Sequence, residues 1–147
     1  MTARPHAAER WAHAVVGLLH SESDARSIDT WGRAVGISRG ALRTWCSAAG
    51  VPAKNSLDLA RLLRSVMLSQ GGPWDLFNTL DVIDSRTLRR LMIRGGIAEF
   101  RNRLQAPDVR SFLATQRFVR DKAALSALSS LIAGWECEER ETPRRAS

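Results

Sequence analysis

Basic and small polar side chains recur at helical spacing in the stretch 38–47. Arginine binds phosphate and guanine through paired hydrogen bonds, and serine and threonine hydroxyls bond to either kind of group. A helix over this stretch presents Ser38, Arg39, Gly40, Arg43, Thr44 and Ser47 on its cap and outward face. These residue types in this pattern are typical of a helix that contacts nucleic acid.

The flanking residues predict two crossing helices joined by a tight turn. Gly32 supplies a small residue where the helices touch, and Gly36 supplies the positive φ of the turn. Ser38 is suited to cap the second helix by accepting a backbone N–H. The apolar contacts between the helices come from Trp31, Val35, Ile37, Leu42 and Trp45. The stretch therefore predicts a helix-turn-helix unit, although an ordinary helix hairpin with a solvated arginine face fits the same pattern.

A weaker copy of the pattern follows 46 residues later, where Leu88 matches Leu42 and Gly96 matches Gly50. In this copy Val82 replaces the turn glycine, and Asp84 replaces Ser38 as the helix cap. Its outward polar residues are Ser85, Arg86, Arg89 and Arg90. Two tandem units are therefore predicted.

Two helix-turn-helix units with a helix between them resemble the DNA-binding domain of AraC-type transcription regulators. The resemblance covers about residues 5–104 and rests on Ser38, Leu42 and Gly50 in the first unit. It also rests on Arg61-Leu62, which open a connecting helix predicted from Leu57 to Leu68. The family implies an all-α fold, a bacterial source, and a second helix of each unit lying in the DNA major groove. Carried over by position, these second helices cover about 39–48 and 85–94.

The chain departs from the family in three places. The segment from Leu42 to Gly50 is one residue short, and Val82-Ile83 stand where the second turn normally has Gly-Phe. The family's proline-and-aromatic ending is absent after Gly96.

The composition agrees with a nucleic-acid partner. The net charge of the 147-residue chain is +7, and 20 of its 22 basic residues are arginine. This bias favours phosphate and guanine contacts, although a GC-rich coding sequence would produce it too. Arg33, Lys54, Arg94 and Arg101 are predicted as phosphate contacts or solvated charges. No apolar run reaches the length of a membrane span, so a cytoplasmic protein is expected.

The sequence offers little for catalysis or metal binding. It has no tyrosine, no phosphate-binding glycine loop and no clustered cysteine and histidine. His6, His13 and His20 are spaced two helical turns apart, roughly 10 Å, so two of them cannot share a metal ion. Cys46 is predicted as a small buried residue. No enzyme activity, cofactor or metal is expected.

The remaining boundaries follow from local signals. A first helix is predicted over 5–21, with a helix from Trp74 to Leu80 that begins after Pro73 and a short one from Ala98 to Leu104. Asn55 and Asp58 are predicted to cap the connecting helix.

Residues 1–104 form the predicted tandem domain, and 105–135 form a helical extension that begins near Asp108. This extension either packs on the domain or forms the surface of a homodimer. Residues 136–147 are predicted as a charged, disordered tail.

Three functions remain open at this level. The first is a transcription regulator that reads double-stranded DNA through two helices. Its predicted base-edge contacts are Arg39, Arg43 and Thr44 in the first unit and Ser85, Arg86, Arg89 and Arg90 in the second. The second is an adaptor that kept the fold and lost DNA reading, and the third is non-specific binding driven by charge. Salt dependence and competition between sequences separate them.

Overall fold

Eight helices make up the regular structure of the described residues. The computed structural model describes residues 5–70, 72–82, 84–97 and 105–141. The helices are α1 Pro5–Leu19, α2 Ile28–Val35, α3 Arg39–Ala48, α4 Ala53–Leu68, α5 Leu76–Thr79, α6 Ser85–Arg94, α7 Val109–Thr115 and α8 Lys122–Glu141. The predicted all-α fold is confirmed over these ranges, where extended pairing is limited to one bridge between Pro73 and Gln105. In the same ranges no helix combines the length and the apolar character needed to cross a bilayer.

The central helix is α4, which packs against α1, α2, α3, α5 and α7. Every residue from Ser56 to Val66 is buried, as expected for a helix covered on several sides. It begins at Ala53 after Pro52, earlier than the predicted Leu57. Proline suits this position because its fixed φ and missing N–H cost nothing at a helix start.

The predicted capping roles of Asn55 and Asp58 are wrong, because both residues already lie inside α4. The Asn55 amide donates to the Phe118 carbonyl at 3.0 Å. The Asp58 carboxylate instead forms an ion pair with Arg94 at 2.7 Å. Both side chains therefore tie α4 to distant segments.

Two buried arginines on α4 fix the loop between α1 and α2. The Arg61 guanidinium donates from Nε and Nη2 to the Asp24 carboxylate, at 3.1 and 2.7 Å. Arg64 donates to the carbonyls of Ser21 and Thr79. Buried charges are tolerated when they are paired and hydrogen-bonded in this way.

The turn between α2 and α3 has the predicted local geometry. Gly36 adopts φ 73°, a left-handed conformation that glycine accepts without strain. The Ile37 N–H then donates to the Gly32 carbonyl at 2.9 Å. A Cβ atom on Gly32 would overlap the Ile37 carbonyl oxygen, so a small residue is required where the chain crosses itself. Ser38 caps α3 by accepting from the Ala41 N–H.

The predicted core position of Trp45 is only partly correct. Trp31 is fully buried, and its indole N–H donates to the Ala14 carbonyl at 2.9 Å. Trp45 is half-buried at the edge of the core, and the Arg10 guanidinium lies over its ring at 5.4 Å. The buried stripe of α3 instead passes through Cys46.

The first helix of the second unit is shorter than predicted, because α5 covers Leu76–Thr79 alone. The Trp74 indole donates to Ser65 Oγ at 2.9 Å, and the Asp75 N–H donates to Ser69 Oγ at 3.1 Å. These bonds hold the preceding backbone against the end of α4, so the helix does not start after Pro73. The helix predicted over 98–104 lies outside the described residues.

The C-terminal helices pack on the rest of the molecule. α8 lies along α1 and buries Ala124, Leu128 and Ile132, while α7 packs on α4 through Phe112. Asp108 caps α7 by accepting from the Ser111 N–H, at the predicted start. α8 continues to Glu141, so the predicted tail boundary at 136 is wrong. Residues 142–147 lie outside the described part of the chain.

Candidate nucleic-acid interface

The two helices predicted to contact DNA are structurally equivalent at their beginnings. α3 and α6 each have ten residues, and each begins after a capping side chain. Ser38 Oγ accepts from the Ala41 N–H at 3.1 Å, and Asp84 Oδ1 accepts from the Thr87 N–H at 2.7 Å. The caps occupy matching positions of the 46-residue repeat.

Their C-terminal ends match as well. Gly50 and Gly96 both adopt positive φ, 76° and 80°. After each glycine, a backbone N–H donates back to the helix, from Val51 to Cys46 and from Ile97 to Met92, both at 3.0 Å. This is the Schellman pattern that satisfies the last carbonyls of a helix. The repeat is thus visible in the second helix of each unit, whereas the first helices differ, since α2 has eight residues and α5 has four.

The cap of α6 is an ionised carboxylate. Hydrogen bonds from the Thr87 backbone and side chain lower the pKa of Asp84 below its usual value, and Arg90 lowers it further. A negative charge at a helix start also interacts favourably with the helix dipole. The beginning of α6 therefore stays capped at neutral pH.

A groove of about 770 Å³ lies between the two matched helices. α3 lines one side and α6 another, with the starts of α2 and α4 between them. Seven cationic side chains line it: Arg26, Arg39, Arg43, Lys54, Arg61, Arg90 and Arg94. We call this feature the α3–α6 groove.

Four of these cations have a carboxylate partner. Arg61 and Arg94 pair with the buried Asp24 and Asp58, both at 2.7 Å. The longer and exposed pairs are Arg26 with Asp81 at 3.9 Å and Arg39 with Asp29 at 3.7 Å. Within the described residues, Arg43, Lys54 and Arg90 form no such pair. The groove therefore has an excess of positive charge contributed by three different helices.

All ten residues predicted to contact DNA are exposed. The structure brings Arg39, Arg43 and Arg90 together in the α3–α6 groove. The other seven predicted residues do not line this groove; they are Ser38, Gly40, Thr44, Ser47, Ser85, Arg86 and Arg89. The predicted single outward face of α3 is therefore divided into a groove side and a remaining exposed side.

Sequence reasoning missed two arginines of the groove, Arg26 and Arg61. Arg61 and Arg64 lie one turn apart within the leucine-rich α4, and arginines at this spacing in an apolar helix are a sequence signal for buried, hydrogen-bonded charges. The acidic partner of Arg61 cannot be identified from spacing, because Asp24 is 37 residues away. Lys54 and Arg94, predicted as phosphate contacts or solvated charges, both line the groove.

Within the described ranges, no three histidine, cysteine, aspartate or glutamate side chains are grouped so that they could hold a metal ion. Comparison of the chain with family models, with curated proteins and with solved structures finds no match.

Proposed function

We propose that the protein is a sequence-specific double-stranded DNA-binding transcription regulator that inserts α3 and α6 into the major groove. One observation carries the proposal: two matched ten-residue helices, capped in the same way, carry exposed polar and basic side chains, and three of these, Arg39, Arg43 and Arg90, line one cationic groove. A helix of this size fits the major groove, where base edges are distinguishable. AraC-type regulators provide the analogy for two such helices on one domain.

On α6, the side chains suited to base edges are Arg86 and Arg89. Both are exposed and lie outside the groove lining. Arginine in the major groove donates two hydrogen bonds to guanine. Ile93 follows Arg89 by one turn and is 63% exposed. An exposed apolar side chain at this point suits contact with a thymine methyl group.

On α3, the exposed side away from the groove is formed by small residues, among them Gly40, Thr44 and Ser47. Small side chains allow a helix backbone to approach base edges closely. The Thr44 hydroxyl donates to the Gly40 carbonyl at 2.9 Å, which leaves its oxygen free to accept. It is therefore suited to accept from an adenine or cytosine amino group.

The second candidate function is an adaptor that binds another protein. A cavity of about 790 Å³ between α7 and α8 favours it, because Val109, Leu113, Leu125 and Ile132 line this cavity. Apolar grooves between helices are common docking sites for partner helices. A second copy of the chain is one candidate partner, which would give a homodimer with two copies of α3.

Selection of bound sequences from a random duplex pool tests the DNA proposal. Enrichment of a defined sequence is expected, with protection of two patches about 10 base pairs apart. An Arg86→Ala, Arg89→Ala double variant should lose one patch and keep the other. Its control, Arg110→Ala with Arg120→Ala, removes the same charge from exposed sites outside the groove and should keep both patches. A pool without enrichment would contradict sequence-specific binding and favour the adaptor.

A further inference from the structure

We infer that the α3–α6 groove is a phosphate-binding site in which Arg43, Lys54 and Arg90 bind one phosphate-bearing ligand together. The inference does not depend on base reading by α3 and α6. It assigns Arg43 and Arg90 to phosphate, whereas the sequence pattern places both at base edges.

The lining of the groove has more cations than carboxylates. The remaining cations of the lining each form an ion pair, whereas Arg43, Lys54 and Arg90 form none within the described residues. Asp84, whose pKa Arg90 lowers, lies outside the lining. Arg43, Lys54 and Arg90 come from α3, α4 and α6 and line a single concave surface. Three like charges facing one groove repel each other, and an anion between them relieves that repulsion.

The site is rigid because its helices are fixed to one another. The Asp58–Arg94 ion pair joins α4 to α6, and the Asp58 side chain is only 7% exposed. The Arg61 guanidinium donates from Nε and Nη2 to the Asp24 carboxylate, and α3 packs on α4. The helices that carry Arg43, Lys54 and Arg90 are therefore held in place, and less conformational entropy is lost when an anion binds.

The three free cations determine the chemistry of the ligand. Two guanidinium groups and one ammonium provide many hydrogen-bond donors and no acceptor. Phosphate oxygens accept such bonds in pairs from arginine and singly from lysine. Phosphate groups of a duplex backbone and those of a small phosphorylated molecule share this chemistry.

The test compares two triple variants of the full chain. The groove variant carries Arg43→Gln, Lys54→Gln and Arg90→Gln. The control variant carries Arg110→Gln, Arg120→Gln and Lys122→Gln, which are exposed, lie outside the groove and remove the same charge from the same residue types. Circular dichroism melting establishes that both variants fold. Inorganic pyrophosphate and a 20-base-pair duplex of random sequence are the two probes.

Amide chemical shifts during titration should change around the groove of the parent protein when either probe binds. The groove variant should bind at least one probe about tenfold or more weakly than the control variant. If only pyrophosphate binding is lost, the ligand is a small phosphorylated molecule. If duplex binding is lost, the ligand is the nucleic-acid backbone, and the slope of log affinity against log salt should fall by about 2.7.

Groove and control variants that bind both probes equally would overturn the inference, as would a parent that binds neither probe. This outcome is distinct from failure of the proposed function. A random-sequence duplex measures backbone binding alone, so the phosphate site can be present when no preferred sequence exists.

Discussion

Replacing Gly32 with alanine should destabilise the protein, although alanine is normally the better helix former. Gly32 lies inside α2, where alanine gains about 1 kcal/mol over glycine from helix propensity. The added Cβ, however, would lie inside 3.0 Å of the Ile37 carbonyl oxygen, which is backbone and cannot rotate away. Such overpacking costs about 1–3 kcal/mol. Because this contact is with backbone, we place the cost near the upper end and expect a net loss of about 1–2 kcal/mol.

The matched control is Gly134→Ala in α8. A Cβ on Gly134 has no heavy atom within 4 Å, so this variant should gain about 1 kcal/mol. Urea unfolding followed by circular dichroism measures both changes in the free energy of unfolding. A Gly32→Ala variant that is stabilised as much as Gly134→Ala would refute the close crossing of α2 and the turn.

Three further predictions concern the core, the caps and the thiol. Trp31→Ala should lower the free energy of unfolding by about 3–5 kcal/mol, whereas Trp45→Ala should lower it by only about 1–2 kcal/mol because the Trp45 ring is half-buried. A larger loss for Trp45→Ala than for Trp31→Ala in urea unfolding would contradict these positions. The Asp84 pKa is lowered in the folded state from 3.8, so its carboxylate stabilises the fold above that pH and loses this effect as the pH falls. Asp84→Asn keeps a capping oxygen without the charge, so its melting temperature should be lower than that of the parent protein at pH 6, and this difference should shrink below about pH 4. A difference that is constant with pH would contradict an ionised cap. Burial raises the pKa of the Cys46 thiol above 9.0, so a disulfide reagent at pH 8 should react far more slowly with native protein than in urea; equal rates would contradict its burial.

The features that the sequence predicted best depend on neighbouring residues. Ser38 and Asp84 each bond to an N–H three residues away. Gly36 adopts its positive φ within one turn, and α3 and α6 begin and end where their caps place them. Because these interactions are local, residue type and spacing are sufficient to identify them.

The features that the sequence predicted poorly depend on distant partners. Asp58 has the residue type of a helix cap and was predicted as one, yet it forms an ion pair with Arg94, which is 36 residues away in the chain. Trp45 has the spacing of a core residue, yet α1 places Arg10 over its exposed side. The start of α5 is displaced because Ser65 and Ser69 bind the residues before it. None of these contacts leaves a local signature.

In the candidate site, too, the local features were predicted and the long-range ones were not. The ten residues predicted to contact DNA are all exposed, which follows from helical periodicity alone. Their separation into a groove side and an outer side depends on where α6 lies relative to α3 and α4, and residues far apart in the chain, such as Asp58 and Arg94, set that arrangement. Arg26, Arg39 and Arg90 line the same groove although they come from three segments.

The affinity ratio between a selected duplex and a scrambled duplex of the same length and composition tests the proposed function most directly. Both should be measured by competition at physiological salt, since phosphate contacts alone bind any duplex. A sequence-reading regulator should prefer the selected duplex by roughly a thousandfold or more. A ratio near one would contradict base reading by α3 and α6.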